Sequence, residues 1–300
     1  MHRRHLLALV TAALATPGPG AHAQDDFSKV AVQVEKLSDT VYMLTGAGGN
    51  VGLSVGPDSV FMIDDQFAPM APKLKAAILR LSPKPVQFLL NTHFHFDHTG
   101  GNEVLGGDGA IIVAHDNVRR RLSTEQFMSF IGAKQAPTAK AGLPVVTVAG
   151  EITFHVNGEE VHAFHVPRAH TDGDLVVHFR KSDVVHMGDT YFNGMYPFID
   201  VSSNGSPEGV LAAYDRVLAL IGDRTKIIPG HGPLSTKAEL QATRQMLATV
   251  TQRIRDARRA GQTDEQIRAA KPAAEFDAKY GGGFIKAEQF VAMMLGLMPR

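Results

Sequence analysis

Three histidines and one aspartate lie within six residues of this sequence, at His93, His95, Asp97 and His98. An apolar run, Val86–Leu90, precedes them and has the length and composition of a buried strand. Side chains two apart on an extended segment share a face, so His93 and His95 can point at one spot. Imidazole and carboxylate are zinc ligands, and a catalytic zinc leaves one position for water. The stretch is interpreted as a metal site rather than as a histidine-rich loop.

Three further candidate ligands each follow a β-type segment and lie beside a glycine or a turn. They are His170, Asp189 and His231. If strand ends meet at one edge of two packed sheets, the chain gathers all of these side chains there. Asp64 also closes an apolar strand, Val60–Ile63, and either orients a metal-bound histidine or serves as an ordinary turn residue.

The elements that must position these residues are short strands and helices. Apolar spacing predicts helices over 71–81 and 207–221, and a helical tail from Leu234. Asn157-Gly158 is a strong hairpin signal between two β-type segments. Residues 123–143 have weak periodicity, and their apolar side chains either form a flap over a pocket or pack on the body of the protein.

The composition of the chain limits its domain organisation, its partners and its metal ligands. The 300 residues, 44% of them apolar, can bury a large core as one large domain or two smaller ones. Lysine plus arginine equals aspartate plus glutamate at 30 each, which gives no electrostatic reason to expect a nucleic acid partner. The chain has no cysteine, so a transition metal must be held by histidine, aspartate or glutamate.

The first 23 residues have the pattern of an export signal. A basic start at Arg3 and Arg4 precedes an apolar run from Leu6 to Ala15, which is too short to anchor the chain in a bilayer. The tripeptide at 21–23 matches the small-x-small cleavage pattern. We therefore expect a signal peptide over 1–23 and an exported mature protein, periplasmic in a Gram-negative host, without a membrane anchor.

Taken together, the motifs resemble those of the metallo-β-lactamase superfamily. They are His-x-His-x-Asp-His at 93–98, His170 followed by Thr171, Gly188-Asp189-Thr190, and Gly230-His231-Gly232. The match extends from about residue 40 to 235, in the family's order. The resemblance implies an α/β fold, a four-layer αββα sandwich of two mixed β-sheets flanked by helices. It implies one such domain over 24–300, with a helical C-terminal extension from about 234.

The resemblance also implies a site for two metal ions, usually zinc, with iron or manganese as alternatives. By position, His93, His95 and His170 would hold the first ion. Asp97, His98 and His231 would hold the second, and Asp189 would bridge the two. Asp64 matches the family's acidic position behind the ligands, and Asp65 is a weaker candidate. Asp97 is also the expected catalytic residue, which holds or accepts a proton of the attacking water. His165 competes with His170, but it lacks the following Thr-x-Gly-Asp, so His170 is favoured.

The substrate is less constrained. Many true metallo-β-lactamases have a cysteine ligand at the position of Asp189 and a lysine close after it. This chain has Asp189 instead of the cysteine, and residues 191–194 include no lysine. With an aspartate at position 189, the ligand set is more similar to that of glyoxalase II and lactonases than to that of the cysteine-containing enzymes. The leading hypothesis is a zinc-dependent hydrolase of a cyclic amide or ester of small-molecule size, with β-lactam hydrolysis as the specific prediction. Alternatives are a lactonase, a glyoxalase II-like thioester hydrolase, and, in another class, a diiron oxidoreductase or a non-catalytic metal-binding protein.

The export signal gives a first prediction. We expect N-terminal sequencing of the protein recovered from the periplasm of a Gram-negative host to begin at Gln24, because signal peptidase cleaves after a small-x-small tripeptide. A soluble protein that retains Met1 would contradict this prediction. A matched variant, Ala23→Arg, should block the cleavage.

Overall fold

The computed structural model describes residues 26–298. The predicted signal peptide, 1–23, lies outside the described residues, so it stays a prediction. Within 26–298, no helix combines the length and the apolar composition that crossing a bilayer requires.

Strands with helices between some of them make up the described chain as far as residue 228, and helices follow. The strands are β1 (Gln33–Lys36), β2 (Val41–Thr45), β3 (Val51–Val55), β4 (Val60–Ile63), β5 (Val86–Leu90), β6 (Ile111–His115), β7 (Gln126–Met128), β8 (Ala133–Gln135), β9 (Val146–Val148), β10 (Glu151–Val156), β11 (Glu159–His165), β12 (Leu175–Phe179), β13 (Val184–His186) and β14 (Lys226–Ile228). The α-helices are α1 (Ala71–Leu81), α2 (Phe96–Thr99), α3 (Asn102–Gly107), α4 (Asp116–Leu122), α5 (Pro207–Leu220), α6 (Lys237–Arg259), α7 (Asp264–Ala269), α8 (Asp277–Tyr280) and α9 (Ala287–Leu297).

Two mixed sheets form the centre of the described fold. The first has the order β1-β2-β3-β4-β5-β6-β9, and the second has the order β10-β11-β12-β13-β14. The first sheet is antiparallel from β1 to β4 and parallel from β4 onward, whereas in the second sheet only β14 pairs in parallel. These mixed sheets agree with the predicted topology class.

Alternation along β4 explains why every residue of this strand is apolar. Phe61 and Ile63 face the second sheet and pack in the core between the sheets. Val60 and Met62 face the other way and pack under α1, with Leu74 of that helix in the same cluster. A strand that is covered on both faces needs apolar side chains on both.

Helices cover the outer faces of both sheets. On the second sheet, Val176 and Val185 pack with α5, α6 and α9 through Tyr214, Leu247 and Phe290. Together with α1 on the first sheet, these helices complete four layers, so the predicted αββα sandwich is confirmed. The helical tail begins at Lys237, three residues after the predicted start.

Residues 123–143, whose sequence has only weak periodicity, contain regular structure. They contain the hairpin β7–β8, to which the sequence pattern assigns no strands. Met128 is buried, and the Phe130 ring stacks on Phe198 with ring centroids 5.9 Å apart. The segment therefore packs on the body of the protein, although Ile131 at its tip stays exposed. Three-residue strands are too short to leave a clear alternation in the sequence.

Parallel pairing brings the candidate ligands to one edge. In the β13–β14 pair, His186 lies opposite Ile228, so Asp189 and His231 each follow their strand by three residues. In the β4–β5 pair, Ile63 lies opposite Leu90, so Asp64 lies beside the start of the metal-binding stretch. The carboxyl ends of parallel strands meet at the same edge of a sheet.

The predicted hairpin turn at Asn157-Gly158 is confirmed, with φ of 57° and 69° at these two residues. The Asn157 side chain also joins the two sheets. Its Nδ2 donates to the backbone oxygens of Ser54 and Ser59 at 3.2 and 3.0 Å, and its Oδ1 accepts from the Asp58 and Ser59 amides. One buried amide thus connects the β10–β11 turn of the second sheet to β3 and β4 of the first.

This connection predicts a loss of stability in Asn157→Ala. Removing the amide leaves several buried backbone groups unpaired, so we expect the free energy of unfolding to fall by about 2–4 kcal/mol. Urea denaturation followed by circular dichroism measures this change. Asn157→Gly is the control for the backbone, since glycine tolerates positive φ. If the glycine variant is as stable as the wild type, the side-chain bonds do not join the sheets energetically.

Candidate metal centre

The structure brings all of the predicted ligands together at one edge of the two sheets. His93 and His95 lie in the loop after β5, and the short helix α2 bears Asp97 and His98. The other three come from the second sheet: His170 lies between β11 and β12, Asp189 in a 3₁₀ turn after β13, and His231 after β14.

The first group of ligand atoms consists of three imidazole nitrogens and one carboxylate oxygen of Asp189. Nδ1 of His95 lies 3.1 Å from Nε2 of His93 and 2.9 Å from Nε2 of His170. Oδ2 of Asp189 lies 3.8 Å from the His93 nitrogen and 3.6 Å from the His170 nitrogen. These four ligand atoms lie within 4.8 Å of one another, a spacing that one metal ion can bridge.

The second group is formed by Asp97, His98 and His231. Nε2 of His231 lies 3.3 Å from Nε2 of His98 and 3.2 Å from Oδ2 of Asp97. The Asp189 carboxylate reaches this group as well, because its Oδ1 lies 2.9 Å from the His98 nitrogen and its Oδ2 lies 3.4 Å from the His231 nitrogen. Asp189 is therefore the residue that adjoins both groups.

Asp64 orients two of the imidazoles. Its Oδ2 accepts from Nδ1 of His98 at 2.8 Å and from the Thr92 hydroxyl at 2.7 Å. The Thr92 oxygen in turn lies 3.0 Å from Nδ1 of His93. With Nδ1 bonded, each ring presents Nε2 to the ligand cluster. Asp65 instead accepts from the Gly101 amide and supports the backbone near α2.

Asp200 holds His95 from the opposite side, and sequence reasoning missed it. Its Oδ2 lies 3.1 Å from Nε2 of His95, which leaves Nδ1 free to face the cluster. Ser203 donates to the same carboxylate oxygen at 2.7 Å. In the sequence, the serines after Asp200 have the pattern of ordinary loop and cap residues, so no local signal marks this carboxylate. The backbone oxygen of Phe198 similarly accepts from Nδ1 of His170 at 2.7 Å.

Asn50 joins the loop between β2 and β3 to the segment around His231. Its side-chain nitrogen donates to the backbone oxygens of Pro229 and Gly232, both at 2.9 Å, and its amide donates to Gly230 at 2.7 Å. A Cβ on the preceding residue, Gly49, would lie 2.0 Å from the His98 ring. Only glycine allows the loop to approach this closely. In the sequence, the glycine-rich segment 46–50 has only the pattern of a flexible connection between two strands.

The histidines of the centre fall into two groups, one with raised and one with lowered pKa values. Burial opposes charge on His98 and His231, but the carboxylates of Asp189 and Asp97 outweigh it, so that the pKa of His98 rises well above its usual value and that of His231 rises to about 9. In His170, burial prevails and lowers the pKa to about 4. Burial would also raise the pKa of Asp189, yet the neighbouring histidines hold it well below its usual value.

The donor set fits a divalent cation. Because Nδ1 of His98 donates to Asp64, its Nε2 is the atom that faces Asp189 and would bind a cation in place of a proton. Within 26–298, Oδ1 of Asp189 is buried, and the His98 ring lies 2.9 Å from it. A buried carboxylate is costly without positive charge beside it, and a metal ion supplies that charge when the imidazoles are neutral. Imidazole and carboxylate ligands suit zinc, manganese and iron.

His165, the competing candidate, lies outside the cluster. Its ring stacks on His115 with centroids 3.9 Å apart, and its Nδ1 bonds the backbone oxygen of Asp174. His115 caps α4 by accepting from the Asn117 amide. These contacts account for both rings as packing and capping residues.

The sandwich and the histidine–aspartate cluster at its edge define a class of metal-binding hydrolases. A family model described as the metallo-beta-lactamase superfamily matches residues 44–231, more than half of the chain. The protein therefore belongs to the metallo-β-lactamase superfamily and is one of its metallo-hydrolases.

Similar proteins are distant in sequence. The α subunit of a 2,4-dinitroanisole O-demethylase from Nocardioides sp. is 23% identical over 284 residues, covering 92% of this chain and 80% of the relative. A probable hydroxyacylglutathione hydrolase of Schizosaccharomyces pombe is 27% identical over 210 residues, 68% of this chain and 72% of that one. A solved metallo-β-lactamase from Pontibacter korlensis has a TM-score of 0.60 at 18% identity, covering 72% of this chain and 99% of the other, which supports the fold.

The raised pKa values predict that metal binding releases protons. In the metal-free protein at pH 7, His231 with its pKa of about 9 and His98 with its pKa well above the usual value are both charged, whereas metal ligation needs neutral imidazole. We expect zinc binding at pH 7 to release about two protons per protein. Calorimetric titration in buffers of different ionisation enthalpy measures this release. It should diminish as the pH rises through about 9, the pKa of His231. A binding enthalpy that is independent of buffer at pH 7 would refute the prediction.

Proposed function

We propose that the protein is a zinc-dependent hydrolase that binds two Zn²⁺ ions and opens a cyclic amide or ester, with β-lactam hydrolysis as the leading specific activity. In this proposal, His93, His95, His170, Asp97, His98, Asp189 and His231 are the metal ligands. The position of Asp189 carries the proposal, because one buried carboxylate lies within 4 Å of ligand atoms in both groups. A carboxylate shared by two groups of ligands suits a site that would hold two metal ions.

The chain's own residues supply proton handling and orientation. When bound, two zinc ions provide a nucleophilic water at neutral pH and a Lewis acid for the carbonyl oxygen. Burial disfavours charge on Asp97, but His98 and His231 outweigh it and lower the pKa of this carboxyl, so that it stays ionised. An ionised Asp97 can hold the attacking water and take up its proton. Asp64 and Asp200 keep the imidazoles in the required orientation.

Exposure indicates the side from which a substrate reaches the site. The side chains of His231 and Asp97 are 20% and 19% exposed. The other ligands are at most 5% exposed. A substrate therefore approaches over the second group, beside the carboxylate to which we assign proton transfer.

Four alternative functions would use the same ligand cluster. Hydroxyacylglutathione hydrolases among the relatives favour a glyoxalase II-like thioesterase, and a lactonase would use the same carbonyl chemistry. The same ligands would also hold two irons, as in an oxidoreductase, or a metal without catalysis. Elemental analysis separates these classes, since a high iron content with redox activity would favour an oxidoreductase. We also propose that the protein is exported, on the pattern of residues 1–23.

A hydrolysis screen tests the proposal. Zinc-loaded protein is assayed with nitrocefin, a carbapenem, an N-acyl-homoserine lactone, an acylglutathione thioester and 2,4-dinitroanisole. We expect hydrolysis of the β-lactams or the lactone, and a roughly 100-fold or greater loss of kcat in Asp97→Asn, because the amide cannot accept the proton.

Zinc content measured for each variant separates loss of the base from loss of metal. The matched control is Asp108→Asn, which changes an exposed aspartate paired with Lys75. If the zinc-loaded wild type leaves every compound intact, the hydrolase proposal fails. If Asp97→Asn is fully active with its zinc retained, the assigned proton role of Asp97 is wrong.

A further inference from the structure

Aromatic rings border the open side of the centre. The Phe192 ring stacks on the His231 ring, with centroids 5.3 Å apart and planes at 9°. Phe284 continues this contact, with its ring centroid 6.2 Å from His231 and 6.0 Å from Phe192. On the Asp97 side, the half-buried rings of Phe96 and Phe67 lie 5.6 Å apart. Both exposed ligands therefore have aromatic neighbours.

Phe284 differs from the other rings because it is 52% exposed. It lies in the connection between α8 and α9, where its neighbour Ile285 is buried. Gly283 packs so closely that a Cβ there would lie 2.5 Å from Cβ of Met195. The backbone on both sides is thus anchored, while the Phe284 ring projects toward His231 and solvent. A single exposed ring adds little to the core, and because this one lies beside His231 its free face is available to a molecule bound at the centre.

The charged residues near Phe284 in sequence are occupied by other partners. Nζ of Lys286 donates to the Gly281 backbone oxygen at 3.3 Å, and Nζ of Lys279 lies 5.2 Å from the Tyr280 ring centroid. Among the described residues, Asp97 and Asp189 form ion pairs with histidines and not with lysine or arginine. The contacts of Phe284 itself are with the rings of Phe192 and His231, so its surroundings offer apolar contact to a bound group.

We infer that Phe284 is a specificity-determining residue, whose ring packs against an apolar, uncharged group that the substrate carries next to its scissile bond. This inference rests on the proposed hydrolase function and adds the class of substrate to it. Burying the exposed part of a phenyl ring under an alkyl or aryl group is favourable because it removes apolar surface of both partners from water. Substrates with longer acyl chains are therefore preferred over short ones.

A chain-length series tests the inference. We compare kcat/KM for N-butanoyl-, N-hexanoyl- and N-octanoyl-homoserine lactone in the zinc-loaded wild type, Phe284→Ala and Phe284→Leu. In the wild type, kcat/KM should rise by up to about four-fold for each methylene group that the ring covers. Phe284→Ala should lose about ten-fold on the octanoyl substrate and less than about two-fold on the butanoyl one. Phe284→Leu should retain most of the preference. The matched control is Leu220→Ala, which removes an apolar side chain that is 51% exposed on α5.

A binding measurement keeps the inference testable without turnover. Calorimetry gives the Kd of butanoate and octanoate for the same zinc-loaded proteins, since a carboxylate can bind zinc while its tail reaches Phe284. We expect octanoate to bind the wild type about ten-fold more tightly than Phe284→Ala, with butanoate unaffected. If the wild type and Phe284→Ala show the same dependence on chain length, in the kinetic assay or in the binding assay, the inference is overturned. If octanoate binding depends on Phe284 but no lactone or β-lactam is hydrolysed, the proposed function fails and the binding role remains.

Discussion

The burial of the Asp189 carboxylate among histidines is the constraint on which the rest of the centre depends. This side chain is 5% exposed and stays ionised because the surrounding imidazoles hold its pKa low. A buried anion is stable only beside positive charge, which protons on His98 and His231 supply in the metal-free protein and which divalent ions would supply in our proposal. The same electrostatic demand explains why the ligand cluster combines acidic and imidazole groups.

Such a cluster holds its geometry when its rings are fixed from outside, and four of its five imidazoles are fixed through the second ring nitrogen. Asp64, Thr92, Asp200 and the Phe198 backbone oxygen carry out this task for His98, His93, His95 and His170. His231 is held differently, through ring stacking on Phe192 and through the bonds of Asn50 to the backbone around it. The ligand with the least rigid support is thus also the most exposed one, on the side where we place the substrate.

The fold makes this arrangement possible through a parallel strand pair in each sheet, near the centre of the first sheet and at the edge of the second. The β4–β5 and β13–β14 pairs bring residues that are distant in sequence to the same edge, and the loop before β3 closes over them. Helices then cover the outer faces and leave that edge open. The C-terminal helices contribute more than cover, because the connection between α8 and α9 carries Phe284 to the rim of the centre.

The sequence by itself determined the features that local patterns encode. Apolar spacing predicted α1 over 71–81, the Asn-Gly pair predicted the turn at 157–158, and ligand types after β-type segments predicted the residues that the fold brings together. The tertiary structure alone revealed Asp200, Asn50 and Phe284. Asp200 lies 105 residues from His95, and Asn50 lies 179 residues from Pro229. An aspartate or asparagine in a loop has no local signature for such a role, because its partner is chosen by the path of the folded chain through space.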